Sequence, residues 1–228
     1  MEINDILQKT SILLPTRCAA SGLAVNETEY AIVDGITSFV YIFSFCGMYR
    51  GAVPTMRPYS KIVHNHEKNI YYALDSCSSI VYLLNDRFEE TDVLSHRINA
   101  KIIDISFSEG KLFLVLPHAI YGYCDSNPEL VSSDCNIFFQ CFARCEKIYA
   151  GAFFESNNGQ LVISNGESKI FNCIPTSVSI KTIFTTDGGG IYGFFGKNYV
   201  NNYIIPIYEN QNVNFSNLYE FLCIKQSV

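Results

Sequence analysis

The sequence of 228 residues has no tryptophan and carries little charge, with Asp, Glu, Lys and Arg making up only 17% against 48% hydrophobic residues. Charge this sparse beside so much apolar material excludes a disordered chain. There is no excess of base either: the net charge is −6, so no overall positive field is available for a phosphate backbone and nucleic-acid binding is not expected. Long apolar runs are missing. The longest, Ser38 to Met48, is interrupted by Ser44 and falls well short of the roughly 20 residues of a membrane helix. The start, Met1-Glu2-Ile3-Asn4-Asp5, is acidic and lacks the basic and apolar regions of a secretory leader. A cytoplasmic protein with reduced thiols is therefore expected, which makes the glycosylation sequons at Asn26 and Asn214 idle.

The familiar signatures of chemistry are absent as well. Nine cysteines form no Cys-x-x-Cys pair, and Cys141-x-x-x-Cys145 has no second close pair to complete a zinc site. Buried thiols acting as small apolar residues are the plainer reading. His64-x-His66 sets two imidazoles on one strand face without a third ligand nearby, so no metal and no cofactor are expected. Neither Gly-x-Ser-x-Gly nor His-Glu-x-x-His occurs. The turn Asp187-Gly188-Gly189-Gly190 joins two strand-like runs, whereas a phosphate loop opens a helix.

What the chain has is repetition. Arg17-Cys18-Ala19-Ala20, Lys61-Ile62-Val63-His64, Lys101-Ile102-Ile103-Asp104, Lys147-Ile148-Tyr149-Ala150 and Lys181-Thr182-Ile183-Phe184 each lead through a polar or Gly-rich turn into a second apolar run. Those second runs include Tyr30 to Asp34, Tyr71 to Asp75 and Leu112 to Leu116. Each pair reads as a β-hairpin. A third strand follows at Val40-Tyr41, Val81-Tyr82, Ile120-Tyr121 and Ile170-Phe171, with Tyr199-Val200 or Tyr203-Ile204 in the last copy. Fourth strands are plausible at Asp92 to Leu94, Ile137 to Phe139 and Leu218 to Ile224. The leading basic residues are 44, 40, 46 and 34 residues apart, which suits a four-stranded unit of a radial β fold. Fifteen Tyr and seventeen Phe suit strands too. Only Ile3, Ile6 and Leu7 hint at a helical turn.

Runs such as Ser79-Ile80-Val81-Tyr82-Leu83-Leu84-Asn85 and Lys111-Leu112-Phe113-Leu114-Val115 resemble blades of the β-propeller superfamily, in the NHL-like and quinoprotein-like style. Neither the Trp-Asp pair of WD repeats nor the motifs of kelch repeats are present. The resemblance implies an all-β, single-domain, five-bladed propeller with blades near 16–58, 59–98, 99–142, 143–178 and 179–228. Innermost strands are then expected near 17–25, 61–66, 101–107, 147–154 and 181–186. Ser11-Ile12-Leu13-Leu14 would pair with the C-terminal strands to close the ring. A β-sandwich or barrel is the alternative.

In that arrangement Arg17, Lys61, Lys101, Lys147 and Lys181 begin the five innermost strands and share one face, a ring of cations that would draw an anionic ligand to the channel mouth. The plainer role is to solvate strand ends. Asp34, Asp75, His118, Asn165 and Lys197 occupy the second-to-third turns on the same face. Asp34 and Asp75 could split acid–base work, or cap their own turns. Lactonase and glycosidase propellers resemble one another in placing acids or Asn/Asp where this chain has bases. The sequence thus favours a non-catalytic scaffold offering a rigid face to a protein, peptide or small anionic ligand. Tyr41, Tyr49, Tyr121, Tyr123, Tyr199 and Tyr203 are candidate interface aromatics. A hydrolase or lyase using Asp34, Asp75 and His118 is the alternative.

Overall fold

A computed structural model describes residues 10–14, 20–75, 77–96, 98–124, 127–133, 138–146, 148–155, 158–165, 171–186, 189–196 and 201–222. Strand β1 (Thr10–Leu13) precedes four sheets of four antiparallel strands. They are β2 (Gly22–Val25) to β5 (Tyr49–Pro54), through β3 (Glu29–Val33) and β4 (Phe39–Ser44); and β6 (Tyr59–Asn65) to β9 (Glu90–Val93), through β7 (Ile70–Asp75) and β8 (Val81–Leu84). The third runs from β10 (Asp104–Ser108) through β11 (Lys111–Leu116) and β12 (Ala119–Cys124) to β13 (Asn127–Ser133). The fourth holds β14 (Phe138–Cys145), β15 (Ile148–Glu155), β16 (Asn158–Asn165) and β17 (Phe171–Pro175). The fifth joins β18 (Ser179–Thr185), β19 (Ile191–Gly196) and β20 (Asn201–Glu209) to β1, with the short β21 (Asn212–Val213) also on β20. Helix α1 (Phe215–Leu222) follows.

The first strands touch in sequence, β2 to β6 to β10 to β14 to β18, and β18 touches β2, so the ring is closed. The protein is a five-bladed β-propeller. Closure is made by β1, whose Thr10 to Leu13 lie opposite Ile204 to Asn201, as the apolar Ser11 to Leu14 segment predicts. This N-terminal strand covers an edge that would otherwise be open. Clusters of buried residues lie between successive sheets, each drawing on both neighbours; Leu74 and Val81 of the second sheet meet Ile105 and Leu114 of the third. That is why both faces of the inner strands are apolar.

Four expectations need correction. The innermost strand of the fourth sheet is Phe138–Cys145 rather than 147–154, and Ile148–Glu155 is its second strand. Consequently Ile137 to Phe139 does not supply a fourth strand to the third sheet; Asn127–Ser133 does, and Phe171–Pro175 is a fourth strand rather than a third. The strand β13 escapes notice because it is an edge, largely exposed and begun by Asn127-Pro128, with little apolar patterning to mark it. Leu218 to Leu222 lies in a helix, where Leu218 and Leu222, four apart, are both buried. The possible helical turn at residues 3–7 lies outside the described residues.

Turn chemistry fixes the hairpins. Between β10 and β11, Ser108 pairs with Lys111 across Glu109 and Gly110, both with positive φ (51° and 72°), a mirror-image turn that matches strand twist and suits glycine. Three innermost strands carry one extra residue near their start: Ser60 in β6, Gln140 in β14 and Lys181 in β18. Such bulges re-aim side chains beside them. Gly22 is dictated by packing, since a Cβ there would lie 2.7 Å from Lys61 Cα. No described helix is long and apolar enough to cross a membrane.

Candidate functional site

We call the face where the innermost strands start the upper face, and the face where they end the lower one. Near the upper end the channel is filled by side chains. Lys61 is 9% exposed and Asp104 fully buried; Lys61 Nζ lies 3.4 Å from Asp104 Oδ1 and donates to the Lys181 carbonyl at 2.5 Å. Thr182 Oγ1 reaches Asp104 Oδ2 at 3.4 Å. Burial pushes the Asp104 carboxyl up to about 6, against the opposing pull of Lys61. Gln140 Nε2 donates to the Ile180 carbonyl at 2.7 Å, and Ser21 Oγ to the Ser60 carbonyl at 2.6 Å. The carbonyls at the Ser60 bulge, and at and before the Lys181 bulge, are thus tied to side chains of other sheets. Further down, Thr185 Oγ1 donates to the Phe107 carbonyl at 2.7 Å, joining the fifth sheet directly to the third.

The expected ring of five cations is therefore not a simple ring. Lys61 faces an acid inside the channel, which takes up its charge. Lys181 is the bulge residue of β18 and folds toward Gly196 and Asn202; burial and the Lys61 charge hold its ammonium below the usual lysine range. Lys101 is exposed three residues before β10 begins, because the innermost strand there starts at Asp104. Arg17 and Lys147 lie outside the described residues.

The second-to-third turns use their acids locally. Asp34 Oδ1 accepts from the Ile36 and Thr37 amides at 3.0 and 2.8 Å, and Thr37 Oγ1 lies 2.9 Å from Oδ2. Asp75 Oδ1 accepts from the Cys77 amide at 2.7 Å, while Oδ2 stands 3.9 Å from Arg57 Nη1. Both are Asx-type caps. His118 sits exposed in the turn between β11 and β12, on a third sheet. The Asn165 side chain and Lys197 lie outside what is described. Arg57 itself grips Glu90 with two bonds, Nε to Oε1 at 2.7 Å and Nη2 to Oε2 at 3.2 Å. Tyr82 OH accepts from Nη1, and Tyr59 OH donates to Glu90, each at 2.7 Å. Of the candidate interface aromatics, Tyr41 and Tyr123 are buried rather than exposed, Tyr121 and Tyr203 are half-buried, and Tyr49 is exposed. Tyr199 is outside the described residues.

The lower mouth is different: it holds a pocket of about 220 Å3 walled by first-to-second turns of four sheets. His66 and Glu67 come from the second sheet, Phe107 to Gly110 from the third, Arg144 and Cys145 from the fourth, and Thr185, Thr186 and Gly189 from the fifth. Glu109 is engaged, with Oε2 3.5 Å from Arg144 Nε and Oε1 accepting from the Glu146 amide. Arg144 Nε also donates to the Glu146 carbonyl at 3.1 Å. Cys145 Sγ donates to the Gly189 carbonyl at 2.7 Å, and burial raises its thiol to about 11. His64 and His66 meet through their Nδ1 atoms at 2.9 Å; burial lowers the His66 pKa, which favours the neutral ring. Sequence reasoning missed Asp104, Glu67, Ser108 and Arg144 as site residues. A signal existed for two of them, since Asp104-Ile105-Ser106-Phe107-Ser108 alternates polar and apolar where both faces are expected to be buried. Cys46, Cys141, Cys145 and Cys173 carry free thiols.

No family model matches the sequence, and no curated protein does. Solved structures match in fold. Myxococcus xanthus glutaminyl cyclase aligns with TM-score 0.55 at 8% identity over 88% of this chain and 99% of that one. A chain of a nidogen/laminin complex aligns with TM-score 0.55 at 13% identity, over 77% and 72% respectively. Kuenenia stuttgartiensis hydrazine synthase aligns with TM-score 0.52 at 12% identity over 80% of this chain, which spans only 57% of that one. At such identities the likeness is one of fold, and an activity lives in particular residues instead.

Proposed function

We propose that this propeller is a non-catalytic binding module that presents the lower mouth of its channel as a rigid seat for a protein, peptide or small ligand. The observation that carries this reading is the pocket walled by turns from four different sheets. Turns held on a closed ring are preorganised, so a ligand seated there would order little on binding. The Asp34 and Asp75 carboxylates, which an acid–base mechanism would require, each cap their own turn. The preference for an anionic ligand, inferred from Arg17, Lys61, Lys101, Lys147 and Lys181, belongs to the upper face, where Asp104 already answers Lys61.

Amide chemical-shift mapping against a set of small polar compounds and capped dipeptides tests the reading. The expected footprint covers residues 66, 67, 107–110, 144, 145, 185, 186 and 189. A footprint confined to 34–37 and 75–78, or turnover of any compound that Asp34→Asn abolishes, would overturn it in favour of the upper-face hydrolase or lyase.

A further inference from the structure

Two oxygen-bearing side chains on the wall of the lower pocket have no partner among the described residues. Ser108 is 7% exposed, lines the pocket, and its Oγ makes no hydrogen bond. Glu67 lines the same pocket from the second sheet, is exposed, and forms no ion pair among the described residues. Its carboxylate stands over Gly110, with Oε1 3.5 Å from where a Cβ on that glycine would lie. A buried hydroxyl without a partner is uncommon and needs a companion. A lone carboxylate at a pocket rim is uncommitted charge.

The charges that line the pocket itself can be paired off. Glu109 and Arg144 answer one another at 3.5 Å, and His66 is held toward its neutral form. Glu67 then leaves one negative charge over. The carbonyls of Phe107 and Gly189, which accept from Thr185 Oγ1 and Cys145 Sγ, each keep a second lone pair. The wall thus offers several accepting oxygens beside the Arg144 guanidinium, whose Nε is already engaged with Glu109 and the Glu146 carbonyl. At about 220 Å3 the space lies below the range of drug-sized ligand sites and suits the tip of a chain.

Building on the binding reading above, we infer that the lower pocket receives a primary alkylammonium group, with Ser108 Oγ accepting one of its hydrogens and Glu67 supplying the counter-charge. An ammonium brings three donors and no acceptor, which complements this wall. The group can be carried by a free amine or by a lysine side chain of a peptide.

The test is an amide chemical-shift titration of the full chain with n-butylammonium, butyrate, n-butanol and Nα-acetyl-lysine-N-methylamide. Butylammonium should shift signals at 66, 67, 107–110, 185, 186 and 189, while butyrate and butanol leave them in place. Glu67→Gln should weaken the ammonium roughly three- to fivefold, as expected for one partly solvated charge pair, with the spectrum otherwise unchanged. Ser108→Ala should weaken it further. Glu67 is exposed, so its variant folds even where Ser108→Ala does not. A tighter fit for the lysine amide than for butylammonium assigns the group to a peptide; equal affinity assigns it to a free amine. The inference falls if butylammonium produces no shifts at these turns, or if Glu67→Gln leaves its affinity unchanged. Shifts at these turns from butyrate or butanol alone would overturn the ammonium while leaving the pocket reading intact. A silent pocket in the wider compound screen as well would remove both.

Discussion

The two ends of the channel are built from the same five strands and treat charge in opposite ways. At the upper end Lys61 and Asp104 lie within 3.4 Å, buried, with Thr182 and the Lys181 carbonyl completing the set. At the lower end Glu67 stands exposed without an ionic partner among the described residues, beside a hydroxyl that bonds to nothing described. Charge at the top is part of the fold, because burying either ion alone would cost far more than the pair. The Glu67 charge at the bottom contributes nothing visible to the fold, unlike the Glu109–Arg144 pair beside it. The need to pair a buried acid accounts for the first arrangement, and a ligand is a sufficient reason for the second.

The sharpest way to break this contrast is to remove one member of the buried pair. Lys61→Met leaves Asp104 as a buried carboxylate without its cation and should cost about 3–5 kcal/mol at pH 7 in urea unfolding. Adding Asp104→Asn to Lys61→Met should restore much of that loss, since no ion then remains buried. If the double variant is as unstable as the single one, the two residues are not coupled and the upper end is not a charge-paired plug.

The next largest effect is in pH. The Asp104 carboxyl is raised to about 6 in the folded protein, above its ordinary value of 3.8. The folded state therefore holds the proton more tightly than the unfolded chain. Its stabilising contribution is complete below the ordinary value and is lost as pH rises through 6, by roughly 3 kcal/mol at most. Comparing unfolding free energies at pH 4 and pH 7 in wild type and Asp104→Asn isolates this component, which should be missing from the variant. A smaller loss, of about 1 kcal/mol, is expected when Glu90→Gln weakens the fork to Arg57, because the guanidinium is a third exposed and water screens the pair.

How far these features could be read from the sequence differs around the ring. The hairpins of the first three sheets are legible because tight turns such as Glu109-Gly110 interrupt otherwise continuous apolar runs. The fourth sheet is misplaced by one strand because the Lys-led repeat falls on Lys147, after β14, while the exposed edge β13 carries almost no pattern. The closing strand β1 is legible as a leftover apolar segment; the helix is not, since Phe215 to Leu222 is short and apolar enough to pass for a strand. Lys61 is conspicuous by its repeat position, but its partner Asp104 is 43 residues away and becomes its neighbour only when the second and third sheets pack together. Glu67 and Ser108 likewise belong to different sheets. Such sites are properties of the assembled ring, and a one-dimensional pattern shows only that polar residues interrupt strands expected to be apolar.

The smallest expected effect is the most telling for the lower mouth. Glu67→Gln should change the unfolding free energy by no more than about 0.5 kcal/mol, as for an exposed residue away from caps, cores and networks. Its carboxylate accepts no hydrogen bond from the described residues, so replacing it with an isosteric amide breaks nothing in the fold. The comparison with Lys61→Met is then between two single-charge removals on the same strand–turn unit, β6 and the loop after it, differing severalfold or more in cost. A loss above 1 kcal/mol for Glu67→Gln would show that its charge does serve the fold, and the reason for assigning that carboxylate to a ligand would be gone. A neutral result, together with loss of ammonium affinity in the same variant, separates binding from stability at one residue.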